Sequence, residues 1–247
     1  MNMKIAVISD IHGNSWALKE VMKDIKNRGI TQIINLGDSL FGPLDPGGTF
    51  EILRNENIIS IAGNQDRNMV EDIDKEEIHF TMNYVRAHIN EEALNWLESL
   101  PTTKVFLDDF FLCHGTPDND SKYLIEKVTE QGASVKSKEE LEEELAEISQ
   151  KVVLCGHSHI QRCINLNRGS LVLNPGSVGL PAFKAENPYY HVMESGSFHT
   201  RYSVVTREAA QFKVENIALN YDYKAAAAMA AKNNRPDWEK AILTGRA

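Results

Sequence analysis

The chain has 247 residues, 42% of them hydrophobic, with a formal net charge of −9 and three cysteines. That length suits one large α/β domain or two small ones, no apolar run approaches the roughly 18–20 residues that span a bilayer, and the run after Met1 is shorter than the roughly 7–15 residues of a secretory h-region. A cytoplasmic protein with no membrane partner is therefore expected. Nucleic acid is disfavoured as a partner, because binding a polyanion needs clustered Lys and Arg, and Cys113, Cys155 and Cys163 form an odd, widely spaced set with no disulfide framework.

The first expected strand is the apolar run Ile5 to Ile8, which breaks into Ser9, Asp10, Ile11, His12, Gly13 and Asn14. In an extended backbone, residues two apart share a face, which would turn the Asp10 carboxylate and the His12 imidazole to one spot. Ser15 is expected to cap a helix running to about Asn27, with Gly29 as its stop. Ile33 to Leu36 reads as a second buried strand ending at Gly37 and Asp38, and Asp45 with Pro46 opens a second helix. Ile58 to Ala62 is a third strand, ending at Gly63, Asn64, Gln65 and Asp66. Three β-loop-helix units in succession predict a parallel sheet with right-handed crossovers, whose working site lies at the carboxyl ends of its strands.

Residues 68–100 have a helical pattern, with Asn90 as a start signal and Pro101 as a stop. Phe106 to Phe111 reads as a hairpin that delivers Cys113, His114 and Gly115. Residues 116–150 look inserted: a polar loop, a short helix near 123–129, and an acidic helix near 138–149 opened by the capping box Ser137 and Glu140. Lys151 to Cys155 is another strand and discharges into Gly156, His157, Ser158 and His159. A hairpin over 164–173 exits through the turn Asn174, Pro175, Gly176, Ser177. Alternating strands to about residue 217 and two helices within about 222–245 complete the chain.

Collected at the strand exits are Asp10, His12, Asp38, Asn64, His114, His157 and His159. Carboxylate, amide and imidazole donors in that number exceed what one ion takes from protein and suit two divalent ions sharing a carboxylate. The remaining histidines, His79, His88, His191 and His199, have no ligand spacing, although His191 and His199 sit on late strands that could line a pocket.

The ordered blocks Asp10-x-His12, Gly37-Asp38, Gly63-Asn64, His114 and Gly156-His157-x-His159 resemble the calcineurin-like metallophosphoesterases, most of all the small bacterial and archaeal phosphoesterases; the motifs span residues 10–177. The resemblance implies an α/β chain forming a single domain over 1–247, built as two packed mixed β-sheets flanked by helices, a four-layer αββα sandwich. It implies that Asp10, His12, Asp38 and His159 hold one ion, that Asp38, Asn64, His114 and His157 hold the other, and that Asp38 bridges them. For such mixed nitrogen and oxygen sites Mn²⁺ is the first expectation, with Fe, Zn or Ni compatible. The implied activity is hydrolysis of a small phosphate ester, diester or anhydride by a hydroxide bridging two ions. Dinucleoside polyphosphate hydrolysis and serine/threonine protein dephosphorylation stand as alternatives, and a non-catalytic metal-binding scaffold for partner proteins is the alternative of another class.

One departure is informative. Many family members follow the Asn ligand with a His that protonates the leaving group, paired with a carboxylate three residues past the bridging Asp; here those positions hold Gln65 and Phe41. A glutamine amide donates a hydrogen bond but delivers no proton. Asp38, Asn64 and Gln65 are accordingly the expected catalytic residues. Asn14, Asn64, Gln65, Arg67 and Arg162 are the expected substrate contacts, the two arginines because a guanidinium binds phosphate bidentately.

Overall fold

A computed structural model describes residues 3–71, 76–209 and 211–247, with the side chains of 76–79, and so His79, outside that description. The first half runs β1 (Met3–Ile8), α1 (Ser15–Asn27), β2 (Gln32–Asn35), α2 (Pro46–Arg54), β3 (Ile58–Ser60), α3 (Asn64–Glu71), α4 (Glu76–His88) and α5 (Glu91–Ser99). Then come β4 (Thr103–Phe106), β5 (Phe110–Cys113), β6 (Glu126–Thr129), β7 (Gly132–Val135), α6 (Lys138–Glu144), β8 (Val152–Leu154), β9 (Arg162–Asn165) and β10 (Leu171–Asn174). The last part is β11 (Ala182–Ala185), β12 (His191–Glu194), β13 (Thr200–Glu208), β14 (Gln211–Leu219), α7 (Tyr223–Lys232) and α8 (Pro236–Thr244).

Two five-stranded sheets carry the fold, in the orders β14-β13-β1-β2-β3 and β4-β5-β8-β10-β9. In the first, β1, β2 and β3 run parallel and β13 pairs antiparallel with β1. In the second, β5, β8 and β10 run parallel, and β4 and β9 close the edges antiparallel. Each sheet is thus a three-stranded parallel centre with antiparallel flanks, and the loops leaving those six parallel strands carry the residues singled out above.

Side-chain alternation assigns the layers. Ile5, Val7, Ile34, Leu36 and Ile61 of the first sheet meet Phe110, Leu112, Val152, Leu154 and Leu173 of the second in one dry interface. Ala6 and Ile8, pointing the other way, pack with Leu18, Val21 and Ile25 of α1 and with α7 and α8. The outer face of the second sheet, through Cys113, Val153, Cys155 and Val172, is covered by Leu141 and Leu145 of the α6 segment. Helices, sheet, sheet and a thin outer helix make the expected four layers. Each fully buried Leu or Ile in these interfaces stabilises the fold by about 1.5–3 kcal/mol relative to exposure.

Three local expectations change. The cap of α1 is Asn14, whose side chain accepts from the Ala17 amide, so Ser15 is the first helical residue. The short helix expected near 123–129 is instead the hairpin β6–β7, closed by Glu130 and Gln131 between Thr129 and Gly132. β-branched Val128 and Thr129, followed by Gly132 at a φ of +102°, favour that turn over a helix. The acidic helix keeps its capping box but stops at Glu144. Among the described residues no helix is long and apolar enough to cross a membrane.

Candidate metal centre

Asp10, His12, Asp38, His157 and His159 all have left-handed backbone, with φ between 52° and 67°. Such a conformation costs a non-glycine residue about 1–2 kcal/mol, and it corrects the expectation that Asp10 and His12 face one way because the strand continues. The strand has already ended, and a turn brings them together. That turn is held from both sides. Asp10 N donates to Gly37 O at 3.0 Å and His12 N to Asp38 O at 2.9 Å, while Val178 N and Gly179 N donate to Ser9 O and Asp10 O, each at 3.0 Å. Gly63 permits the next loop to close in, because a Cβ there would lie 2.2 Å from Asp38 Oδ1. Asp66 ties the same two loops by accepting from Ser39 N at 2.9 Å and Gly63 N at 3.0 Å.

Two groups of donors result: Asp10, His12 and His159, and Asp38, His114 and His157. Asp38 Oδ2 lies 3.8 Å from His12 Nε2 in the first group and 3.4 Å from His114 Nε2 in the second, between the two. Its Oδ1 accepts from the main-chain N–H of Gln65 at 2.9 Å. Asp10 divides its oxygens similarly, Oδ2 accepting from His157 N at 3.2 Å and Oδ1 facing His159 Nε2 at 3.3 Å. Buried Asp10 Oδ1, His114 Nε2 and Asn64 Oδ1 have no hydrogen-bond partner.

The imidazole tautomers make the arrangement a cation site. Nδ1 of His12, His114 and His159 lies 2.9, 2.7 and 2.6 Å from the carbonyls of Phe41, Leu36 and Leu180, and a carbonyl only accepts, so each Nδ1 carries the proton. Each Nε2 is then a lone pair in the neutral ring, yet His12 Nε2 and His159 Nε2 stand 3.0 Å apart. Two facing lone pairs repel unless a cation lies between them. Nitrogens each about 2.1 Å from one ion and subtending a right angle are about 3.0 Å apart, so the donors fit a divalent metal, and the carbonyl-anchored Nδ1–H is the usual outer support of a metal-bound histidine.

Protonation follows from the same crowding. Burial alone would lower His114, but the Asp38 and Asp10 carboxylates outweigh it and push it up to about 10. Burial and then the neighbouring His114 drive His157 down to about 4. Burial, with His159 beside it, also lowers His12. For Asp10 and Asp38 burial works upward, yet the surrounding imidazoles hold both below the usual carboxylate range. Burial and the Asp38 charge raise Asp66 to about 7.

The chain's sequence matches the calcineurin-like phosphoesterase superfamily domain over residues 3–197. It belongs to that superfamily. It is 29% identical to an uncharacterized protein of Methanocaldococcus jannaschii over 95% of this chain and 94% of that one. Its fold is similar to the crystal structure of a metallophosphoesterase from Sphaerobacter thermophilus, with a TM-score of 0.74 at 21% identity over 98% of this chain and 99% of the other. A hypothetical protein from Pyrococcus horikoshii OT3 gives a TM-score of 0.74 at 19% identity over 98% of both chains.

Among the hollows that border the donor cluster of this member of the superfamily, two share Asn64, Gln65 and His157. One, of about 300 Å³, is lined by His12, Asp38, Asn64, Gln65, His157 and His159 together with Phe41, Phe183, Lys184 and Trp238. The other, of about 690 Å³, shares Asn64, Gln65, His157, Phe183 and Lys184 and adds Arg67, Tyr123, Glu126 and Lys136. The expected substrate contacts divide accordingly. Asn64 and Gln65 line both hollows. Arg67 reaches the larger one, but its guanidinium grips Asp120 at 2.7 and 3.0 Å. Arg162 lines neither and is bound to Glu126 at 2.9 Å. Asn14 is fully buried, and its amide donates to Gly179 O at 2.9 Å and Tyr221 Oη at 3.3 Å in addition to capping α1. The turn Asn174 to Ser177 braces the centre, Asn174 donating to Gly156 O and the Ser177 hydroxyl to Asp10 O, each at 2.7 Å.

Sequence reasoning passed over Tyr123, whose ring centroid lies 4.7 Å from that of His157 and whose hydroxyl donates to His191 Nε2 at 2.9 Å. It also passed over Phe183, Lys184 and Trp238. Nothing in spacing marks an aromatic residue nearly 80 positions past the last donor. His191 thus acts behind Tyr123, while His199 stacks on Phe198 at 4.4 Å and His88 on Tyr84 at 4.1 Å, all outside the donor cluster.

Proposed function

We propose that the chain is a metal-dependent phosphoesterase that uses two divalent ions, Mn²⁺ first among the candidates, to hydrolyse a small phosphate ester, diester or anhydride. The observation that carries the reading is the pair of lone-pair nitrogens of His12 and His159 held 3.0 Å apart, beside three buried polar atoms that have no protein partner. Asp10, His12, Asp38 and His159 would hold one ion and Asp38, Asn64, His114 and His157 the other. Such a pair of ions supplies a nucleophile at neutral pH and neutralises charge on the phosphoryl oxygens.

The chain's own residues then determine what leaves. Gln65 lines both hollows and can hydrogen-bond a phosphoryl oxygen or a departing one, but it cannot protonate it. Phe41 presents a ring where a carboxylate would support an acid. General acid catalysis contributes about 100- to 10,000-fold, so its lack should appear mainly with poor leaving groups. Aryl esters and diesters, and anhydrides, would be cleaved far faster than alkyl monoesters. The test is a series of esters of graded leaving-group acidity, assayed with Mn²⁺ added. A steep dependence of kcat on leaving group supports the proposal, and equal rate constants for alkyl and aryl esters contradict it. A scaffold without catalysis is disfavoured because all seven donors are present, six of them in two close groups and Asn64 lining the same hollows; bound metal without turnover of any ester would reinstate it.

A further inference from the structure

The smaller hollow has a character that metal binding does not require. Phe41, Leu180, Ala182, Phe183, Trp238 and Ala241 line it beside the charged Arg235, Asp237 and Lys240, and two of its rings rest directly on metal-donor imidazoles. Phe183 meets His159 edge-on at 4.6 Å between centroids, and Trp238 meets His12 edge-on at 5.7 Å. The residue standing in place of the family's carboxylate, Phe41, is one of these walls, and its carbonyl is the acceptor that orients His12. In this chain the position of the family's carboxylate therefore carries an apolar wall residue. Trp238 is held rigidly: it is 6% exposed, Arg235 lies 5.4 Å from its ring centroid, and that guanidinium is anchored by Asp237 at 2.6 Å and by Thr81.

Lys184 stands at the boundary between the two hollows, lines both, and is exposed, with no ion pair among the described residues. On its far side the larger hollow is bordered by Tyr123, Glu126 and Lys136 as well as by Val128 and Pro188. A phosphorus atom at the donor cluster thus has a ring-walled space on the His12 and His159 side and a larger groove that His12 and His159 do not line. The ring-walled space, about 300 Å³, is at the small end of ligand cavities. That suits one ring system.

We propose that the hollow walled by Phe41, Phe183 and Trp238 is a binding site for a planar aromatic ring, aryl or nucleobase-bearing, attached to the phosphorus under attack, and that the second arm of the same phosphodiester lies in the groove beyond Lys184. This rests on the phosphoesterase reading above and narrows it to a two-armed, ring-bearing substrate. A good leaving group needs no protonation, and a ring seated against Phe41 and Trp238 leaves with its charge delocalised rather than quenched by an acid. A nucleoside shares the ring but departs as an unstabilised alkoxide, so it could occupy the hollow only as the arm that stays on phosphorus, and a substrate panel separates the two sources.

The test compares phenylphosphonate with methylphosphonate, neither of which can be hydrolysed, as ligands of the Mn²⁺-loaded protein. Burial of the ring should make phenylphosphonate bind about 10-fold tighter or more. Phe183→Ala and, as an independent variant, Trp238→Leu should each abolish that preference while metal content stays at the wild-type level. In turnover, a bis-aryl diester should exceed the matching aryl monoester in kcat/KM, and Lys184→Ala should narrow that margin. Tighter binding of a nucleoside methylphosphonate than of phenylphosphonate would assign the hollow to nucleosides, and the reverse order would assign it to aryl rings. Equal binding of the two phosphonates, or a ring preference that survives both wall variants, would overturn the proposal while leaving the phosphoesterase reading intact. Absence of turnover across the whole panel would overturn the reading beneath it.

Discussion

The donor cluster and the walls beside it differ in how their side chains are positioned. Asp10, His12, Asp38, His157 and His159 sit on left-handed backbone, pinned by main-chain bonds from loops on both sides. Phe183, Lys184 and Trp238 lie in a regular strand and a regular helix and meet the centre only by ring contact or along a cavity wall. Backbone strain of this kind persists only where surrounding structure over-determines it. The comparison teaches that the charge-bearing part is rigid independently of its walls, so reaction and selectivity should separate under mutation.

The largest effects should come from the cluster. Asp10→Asn or His159→Ala should lower kcat/KM on every ester by about 1,000-fold or more, since metal charge stabilisation supplies several kcal/mol of the barrier, while circular dichroism stays unchanged. A loss confined to ring-bearing esters would erase the distinction between cluster and walls.

Proton linkage sharpens it next. In the metal-free protein His114 holds its proton up to about pH 10, and a metal ligand must give that proton up. Affinity at the Asp38, His114, His157 group should therefore rise with pH, about tenfold per unit between pH 7 and 10. His157, lowered to about 4, should add nothing in that window. Competition with a chelator across pH measures this, and a flat profile would contradict it.

The insertion provides an intermediate case, because Tyr123 packs on His157 but donates nothing to the centre. Tyr123→Ala should weaken the second ion by about tenfold, within the range set by outer supports of metal ligands, and leave the first ion's affinity as it was. Loss of both ions together would mean that the two groups do not fold as separate halves.

Asn14→Ala should have the smallest effect on catalysis. The cap and the buried contacts to Gly179 and Tyr221 make it a structural residue, so stability should fall by about 1–2 kcal/mol in denaturant titration with KM unchanged. A raised KM at full stability would restore it as a substrate contact.

What the sequence disclosed follows from how each feature is encoded. Apolar runs ending in Asp, Asn or His are local, so β1, β2, β3, β5 and β8 and the residues leaving them were legible, as were α7 and α8. The left-handed turns were not, because their φ values arise from ladders with distant loops such as 177–179. Alternation around Val128 and Thr129 was read with the wrong period, since Glu126 and Lys127 favour helix locally while pairing with β7 decides the strand. Trp238 and Phe183 had no local signature at all; only the packing of α8 against β11 brings them to His12 and His159.

Loops from both sheets are expected to deliver their donors to a common pair of cations. Anomalous diffraction from crystals grown with Mn²⁺ tests it most directly. It should place two ions per chain about 3.5–4 Å apart, with an Asp38 carboxylate oxygen between them and His12 and His159 on the same ion. A single ion, or two ions that leave Asp38 or the His12–His159 pair uncoordinated, would contradict it.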